Sequence, residues 1–475
     1  MKRARGVFLF FCSCCICVAS AIRSSYTPYD DAKPILDALA EILPAELKET
    51  PPASREDVWN SWAQKRDQEI RLRLAQGDAD SVINLLLFGV SFTKEPRLSG
   101  AQVQSLSKAV GKSDGEASMG ELGKLFDNRT RDLLRGAASP GQNERLVFVR
   151  KTMQAAGVQL DSAEGLNKAR AYLHENTRRV LHEQTGFQEA LSAAKSLNDA
   201  TEEFAEVSKI YKDRGLSLDT SLPPDYALDV ALKEMAEQHM LGPGPIKRIG
   251  IIGPGLDFTD KHEGLDFYPV QSVQPFAVAD SAIRLGLAKE SDLEVDILDL
   301  SPRVLSHAEK IAAEASRGRG YTIQLPREAA RAWKPDLVSY WRHFGNRIAT
   351  PANPVAPPAG VKGITIRAVR VRPQLLRRTR VFDLNIVVQR ASFESPSEKF
   401  DLLVATNIFV YYDTFEQSLA LTNVAAMLKP GGFLLTNNLL LELSGSKMRS
   451  AGHTAVKYSE HEADGDTIVR YRRLP

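Results

Sequence analysis

Apolar positions recur three and four residues apart through most of the stretch from Asp30 to Met240, and strand-like alternation is scarce there, which predicts helices. The clearest case is 161–184. Asp161 and Glu164 have capping-box spacing, Leu166, Ala169, Leu173, Thr177, Val180 and Leu181 share one face, and Gly186 follows as a stop. Comparable stripes over 58–74, 81–87, 144–156 and 187–211 predict an all-helical N-terminal domain over residues 22–223, because each amphipathic helix needs a partner surface. Between Arg55 and Arg97, Trp59, Trp62 and the apolar run Val82 to Phe88 allow a binding groove or a helix pair packing its own core, and the pair is the simpler reading.

Pro224 and Asp225 open one more helix, with Leu228, Ala231, Leu232 and Met235 on one face. Leu241-Gly242-Pro243-Gly244-Pro245 then stops it, since neither a helix nor a central strand crosses such a run. Beyond this break short β-rich runs alternate with helices, so residues 224–475 are expected to form an α/β domain.

The first run, Arg248 to Ile252, suits a parallel strand buried on both faces and ends in Gly253-Pro254-Gly255-Leu256-Asp257, where two glycines permit a tight turn close to a ligand. The second, Leu293 to Asp299, ends in an acid, after which Ser301 and Pro302 are placed as N-cap and first residue of a helix. An acid at the carboxyl end of a second strand can accept both hydroxyl protons of a ribose, so Asp299 is a candidate ligand or else a plain loop aspartate. The third cluster runs from Phe400-Asp401-Leu402 through Asn407, Tyr411, Tyr412 and Asp413 into a helix, then Lys429-Pro430-Gly431-Gly432 and the strand Phe433 to Thr436. Strand, helix, turn and strand in that order fit a doubly wound sheet. The segment 454–473 reads as a hairpin around Ala463-Asp464-Gly465.

A long connection precedes the third cluster. It contains Trp333, Tyr340, Trp341 and the proline-rich stretch 351–358, and it reads equally as an acceptor pocket or as a solvent-covering insertion. Within it 364–372 alternates apolar residues with Arg367, Arg370 and Arg372, followed by Arg377, Arg378 and Arg380. This is expected to be an edge strand with a solvated face rather than a basic rim for an acidic ligand.

The 475 residues suggest two or three domains, and 43% hydrophobic with 25% charged residues excludes a disordered or multi-pass membrane chain. A formal charge of +2 gives no global reason to expect nucleic acid. The N-terminus differs from the rest: Lys2, Arg3 and Arg5 precede an apolar run from Val7 to Val18, then Ala19-Ser20-Ala21, the layout of a signal peptide cleaved after Ala21. The run falls short of the roughly 20 residues a spanning helix needs. A lipoprotein reading through Cys14 lacks the usual leucine three positions earlier. Cys12, Cys14, Cys15 and Cys17 all lie in this run, so a chain cleaved there has no disulfide or thiolate site. His174, His182 and His239 have no second ligand at helical spacing and are assigned surface or capping roles.

Gly253-Pro254-Gly255, Leu298-Asp299-Leu300-Ser301-Pro302, Phe400-Asp401-Leu402 and Leu428-Lys429-Pro430-Gly431-Gly432 together resemble the motif series of class I S-adenosylmethionine-dependent methyltransferases over about residues 248–471. Gln274-Pro275-Phe276 with Asn407, Tyr411 and Asp413 is similar to the chemotaxis-receptor methyltransferase branch. The resemblance implies a Rossmann-like doubly wound sheet with an antiparallel C-terminal hairpin, S-adenosylmethionine as cofactor, and an unknown methyl acceptor, small molecule or protein. It implies that Gly253 and Gly255 line the methionine part, that Asp299 holds the ribose, and that Leu300 is also among the cofactor-binding residues. Asp383, in Val381-Phe382-Asp383-Leu384, then contacts the adenine amino group, and Asn407 lies near the methyl group.

The sequence also departs from the pattern. Ile251 stands where an acid is usual and Asp257 where a third glycine is usual; Asp257 either restores charge near the cofactor ammonium or caps the turn. Asp299 follows Gly255 by 44 residues against an ordinary value of about 20, which places an insertion near 258–273. A non-catalytic exported or membrane-associated scaffold is therefore the alternative. A nicotinamide oxidoreductase ranks third, because the later glycine of that fingerprint is missing. The leader points to export, whereas the supply of such a cofactor points to the cytosol.

Overall fold

The computed structural model describes residues 23–110, 120–194, 215–217, 219–242, 244–259, 265–461 and 464–475. The expected leader with its four cysteines and the 195–211 part of the last N-terminal stripe lie outside the described residues, as do Pro243 of the break and Ala463 of the hairpin turn.

The strand β1 (Arg23–Tyr26) leads into α1 (Tyr29–Ala38), α2 (Ala45–Glu49) and the long α3 (Arg55–Phe88). Next come α4 (Gly100–Val110), α5 (Gly120–Ala138), α6 (Glu144–Ala155), α7 (Ala163–Ala194) and α8 (Pro223–Glu237). The α/β part then unfolds as β2 (Arg248–Ile252), α9 (Gln274–Arg284), β3 (Glu294–Asp299), α10 (Pro302–Ser316) and β4 (Tyr321–Glu328). It continues through α11 (Pro335–His343), β5 (Ala349–Ala352), β6 (Ile364–Val371), β7 (Thr379–Asp383) and β8 (Gln389–Ser392). It closes with β9 (Phe400–Ala405), α12 (Thr414–Met427), β10 (Leu428–Thr436), β11 (Met448–Lys457) and β12 (Gly465–Arg473).

Seven strands make one sheet in the order β11-β12-β10-β9-β2-β3-β7. β2, β3, β7, β9 and β10 run parallel, and β12 enters antiparallel beside β10, paired in turn with β11. This is the expected Rossmann-like doubly wound sheet with an antiparallel finish. The central strands are apolar on both faces because helices cover both. One face carries α8, α9 and α11, packing residues such as Leu232, Phe276 and Trp341 against Ile249 and Leu402. The other carries α12, α1 and the first half of α3, with Trp59, Ile70 and Phe415 against Leu403 and Leu434.

The N-terminal helices thus divide between two tasks. The segment 81–87 is not the second member of a helix pair, because α3 is one helix of 34 residues. Its first half covers the sheet: Trp59 stacks on Trp62 with ring centroids 5.1 Å apart, and Trp62 meets Phe415 of α12 edge-on at 5.7 Å. Its second half, Val82 to Leu87, joins α4 to α7 in a separate core. The only glycine within α3 is Gly77, which does not break the helix: the segment 215–217 lies so close that an added Cβ would stand 1.9 Å from the Leu216 carbonyl oxygen. β1 pairs with β8, which fastens the first described residues to the α/β part.

Three local expectations are corrected. α7 begins at Ala163, with the Ser162 hydroxyl accepting the Gly165 N–H at 3.0 Å in place of an Asp161–Glu164 box, and it passes through Gly186 to Ala194. Ser301 makes no side-chain cap; its N–H is instead taken by Asp299. The strand 364–372 is no edge strand, since β6 lies between β4 and β5 in a second, three-stranded antiparallel sheet. Its basic side chains are engaged: Arg367 donates to the carbonyls of Trp341 and Phe344, and Arg372 pairs with Glu290. His239, at φ 53, occupies the left-handed position that ends α8, where Met240 N–H reaches back to the Met235 carbonyl.

Candidate functional site

The strand order reverses between β2 and β9, and a crevice opens at the carboxyl ends of these strands, where doubly wound sheets bind ligands. A cleft with an empty volume of about 690 Å³ lies there. Its base is the turn after β2, with Gly253 at φ 62 and Gly255 at φ 66. Both sit in the left-handed region, and a Cβ on Gly253 would stand 2.2 Å from Ile408 Cδ1, so the backbone is bare where it faces Ile408 on the cleft.

Asp299 ends β3 on the cleft wall and is 4% exposed. Its Oδ1 accepts the Ser301 N–H at 2.7 Å, while Oδ2 is buried with no partner. Burial pushes this carboxyl up to about 7, against the lowering effect of hydrogen bonds from the Ser301 and Leu300 backbones. An acceptor in this state is stabilised by any incoming donor pair, and the two hydroxyls of a ribose are such a pair.

Leu300 and Asn407 also line the cleft. Asn407 is held at φ 58 by reciprocal bonds with Asn437, its N–H donating to Oδ1 at 2.7 Å and its own Oδ1 accepting from Nδ2 at 2.6 Å. Tyr411 and Tyr412 close the same side, Tyr412 fully buried. Leu74 of α3 and Leu216 form part of the rim.

Two expected site residues are not on the lining of this cleft. Asp383 is opposite Asp299 in register, with its side chain exposed and ion-paired with Arg71 at 2.7 Å. Arg71 also bonds Asp67 and the Leu300 carbonyl, so it fixes the loop beside the cleft from behind. Asp257 is not on the cleft; it borders an adjoining cavity and accepts from Gln271 Nε2 at 2.8 Å and from the Tyr268 hydroxyl at 3.0 Å.

That second cavity has an empty volume of about 670 Å³, and sequence neighbours divide between the two spaces: Gly255 and Gln274 line the first, Asp257 and Val273 the second. Its walls are aromatic: Tyr226, Tyr268, Trp333, Tyr340 and Trp341. The Tyr340 hydroxyl is buried without a partner. The long connection before β7 therefore supplies a cavity wall through β4 and α11. The insertion after Asp257 supplies another, clamped by Arg145 of α6 through the carbonyls of Phe258 and Tyr268.

Sequence reasoning missed the polar link between the two spaces. Gln274 opens α9 fully buried, with Nε2 donating to Thr406 Oγ1 at 2.8 Å and to Asp225 Oδ1 at 3.2 Å, and with Oε1 unpartnered. Asp225 is pushed up to about 8 by burial. The signal was present as polar residues on otherwise buried helix faces, but not as a spacing.

Among the described residues no group of three or more His, Cys, Asp or Glu side chains is arranged to hold a metal ion, and no helix is long and apolar enough to cross a membrane.

No protein-family model matches the sequence, and no curated protein does. Among solved structures, the N-methyltransferase NodS from Bradyrhizobium japonicum WM9 is similar at 12% identity over 53% of this chain and 98% of its own, with a TM-score of 0.26. Magnesium protoporphyrin IX methyltransferase (ChlM) from Synechocystis PCC 6803, solved with bound SAM, is 8% identical over 61% of this chain and 92% of its own, with a TM-score of 0.25. A structure described as MtNAS in complex with MTA and tNA is 11% identical over 79% of this chain and 98% of its own, with a TM-score of 0.24. The reading of the site rests on its own residues.

Proposed function

We propose that this chain is an S-adenosylmethionine-dependent methyltransferase whose cofactor occupies the cleft at the carboxyl ends of β2, β3 and β9. The observation that carries the reading is the buried, unpartnered Oδ2 of Asp299 facing a two-glycine turn at the point where the strand order reverses. A ribose supplies the two donors this carboxylate lacks, and the bare Gly253–Gly255 backbone admits the methionine part. Asn407, fixed by Asn437, borders the end of the cleft nearest β9. When bound, the cofactor supplies a sulfonium-activated methyl group.

The chain's own contribution is positioning. The aromatic second cavity holds the acceptor's apolar body, with Asp257 on its lining two residues from Gly255 of the cofactor cleft, and bringing the two ligands close is the main requirement of an in-line displacement. Gln274, itself bonded to Asp225, holds Thr406 on the cleft wall.

Replacing Asp299 by Ala removes charge-assisted hydrogen bonds worth roughly 1.5 to 3 kcal/mol each, so cofactor affinity is expected to fall at least about tenfold. Calorimetric titration of S-adenosylmethionine into wild type and Asp299→Ala tests this, and equal affinities reject the assignment. A second reading, a scaffold that no longer binds cofactor, is favoured by Asp383 being taken up by Arg71 and Asp257 facing the other cavity. Saturable cofactor binding by the wild type excludes it.

A further inference from the structure

At the opposite, amino-terminal edge of the sheet lies a third and larger cleft, with an empty volume of about 1400 Å³. Its floor is a face of α12: Ser418, Leu421, Thr422, Ala425 and Ala426 recur at helical spacing and extend roughly 12 Å along the axis. Small side chains at four of these five positions leave the channel open. Pro34 and Ile35 of α1 form one wall, and Leu441 and Leu443 the other. The second wall is anchored where the Tyr471 hydroxyl takes the Leu440 N–H at 2.7 Å.

Four cations converge at this cleft. Lys399 precedes β9, Arg473 ends β12, Lys447 precedes β11 and Arg390 lies on β8. Arg390 is paired with Asp31 at 2.6 Å. Neither Lys399 nor Lys447 has an ion-pair or hydrogen-bond partner for its ammonium among the described residues, and the Arg473 Nε is buried without one. With Asp30 and Asp31 the only carboxylates on the lining, four positive charges meet two negative ones. Burial, followed by repulsion from Arg473, Arg390 and Lys447, lowers the Lys399 ammonium from its ordinary value. The channel is mixed, with Ile35, Leu421, Ala425, Leu441 and Leu443 beside the hydroxyls of Ser418 and Thr422. A cluster of like charges beside it is stabilised by an anion, and a phosphomonoester, close to a dianion at neutral pH, balances the surplus of two.

We propose that this cleft binds a single-chain amphiphile with a phosphomonoester head, the head between Lys399, Lys447 and Arg473 and the apolar chain along the α12 face. The site is separate from the cofactor cleft and independent of the methyltransferase reading. Its ligand is a dissolved molecule rather than a membrane, since the α12 face is the floor of a concave cleft instead of a protruding surface.

The test is calorimetric titration of the full chain with monomeric decyl phosphate and with inorganic phosphate. Decyl phosphate is expected to bind saturably and at least about tenfold more tightly than inorganic phosphate. Lys399→Gln and the exposed Lys447→Gln should each weaken it about fivefold or more, with S-adenosylmethionine titration unchanged. Thr422→Trp, which fills the channel, should bring decyl phosphate down to the level of inorganic phosphate. Equal affinity for the two ligands overturns the amphiphile assignment, and the absence of saturable binding, or indifference to both lysine variants, overturns the site. Binding to phosphatidylglycerol vesicles without binding of monomeric decyl phosphate would instead identify a membrane surface and overturn the proposal.

Discussion

Asp299 and Asp225 meet the same physics with different outcomes. Burial raises one carboxyl to about 7 and the other to about 8, from 3.8 when exposed. The folded chain therefore keeps protons that the unfolded chain releases, and stability falls as pH rises from about 4 to about 8, by at most about 1.4 kcal/mol per pH unit for each group. Asp225→Asn keeps the bond from Gln274 as an acceptor without the charge. It is expected to flatten the upper part of that slope in urea denaturation at a series of pH values; an unchanged slope counts against a buried, protonated Asp225. Asp299 responds to ligand as well. Donors on Oδ2 favour its ionised form, so cofactor binding should release protons near pH 7 and tighten across about pH 6 to 8. Calorimetry in buffers of different ionisation enthalpy reads the proton count, and zero release would falsify the bonding assigned to Asp299. That Asp299, Leu300, the two glycines and Asn407 would line one cleft was legible because each stands at a strand end with its motif around it. Gln274 and Thr406 were not, because their link joins residues 132 positions apart.

At the scale of elements, β2, β3, β9 and β10 were readable from unbroken apolar runs and the C-terminal hairpin from its turn, whereas α3 was not. Its apolar positions change face midway, from the sheet side to the bundle side, and a stripe that rotates looks like two short helices. Gly77 sits at the change. Alanine there gains about 1 kcal/mol of helix propensity, but its Cβ meets a backbone carbonyl that has little room to yield, and overpacking costs about 1 to 3 kcal/mol. Gly77→Ala is thus expected to destabilise the chain and weaken cofactor binding by displacing Leu216 from the cleft rim. A variant more stable than wild type in chemical denaturation contradicts that close approach. β6 was misread for a related reason: alternating arginines imply a solvated face only if nothing covers it, and here Trp341 and Phe344 do, through their carbonyls.

For the whole molecule, the residues before 224 are needed twice. α1 and the first half of α3 cover a face of the sheet, Arg66 pairs with the buried Glu416 that completes the capping box of α12, and Arg145 holds the insertion beside the second cavity. Residues 224–475 produced alone should expose Phe415, Leu419 and their neighbours, bind a hydrophobic dye and unfold without a sharp transition. A cooperative transition in that fragment would show that the face needs no cover. α3 runs through both parts over roughly 51 Å at 1.5 Å per residue. It is clamped in the sheet layer at one end and in the bundle at the other, with Arg71 gripping the Leu300 loop and Leu74 on the cleft rim near its middle. The same unbroken helix therefore belongs to the bundle core, the sheet layer and the cleft rim, and no loop separates the three.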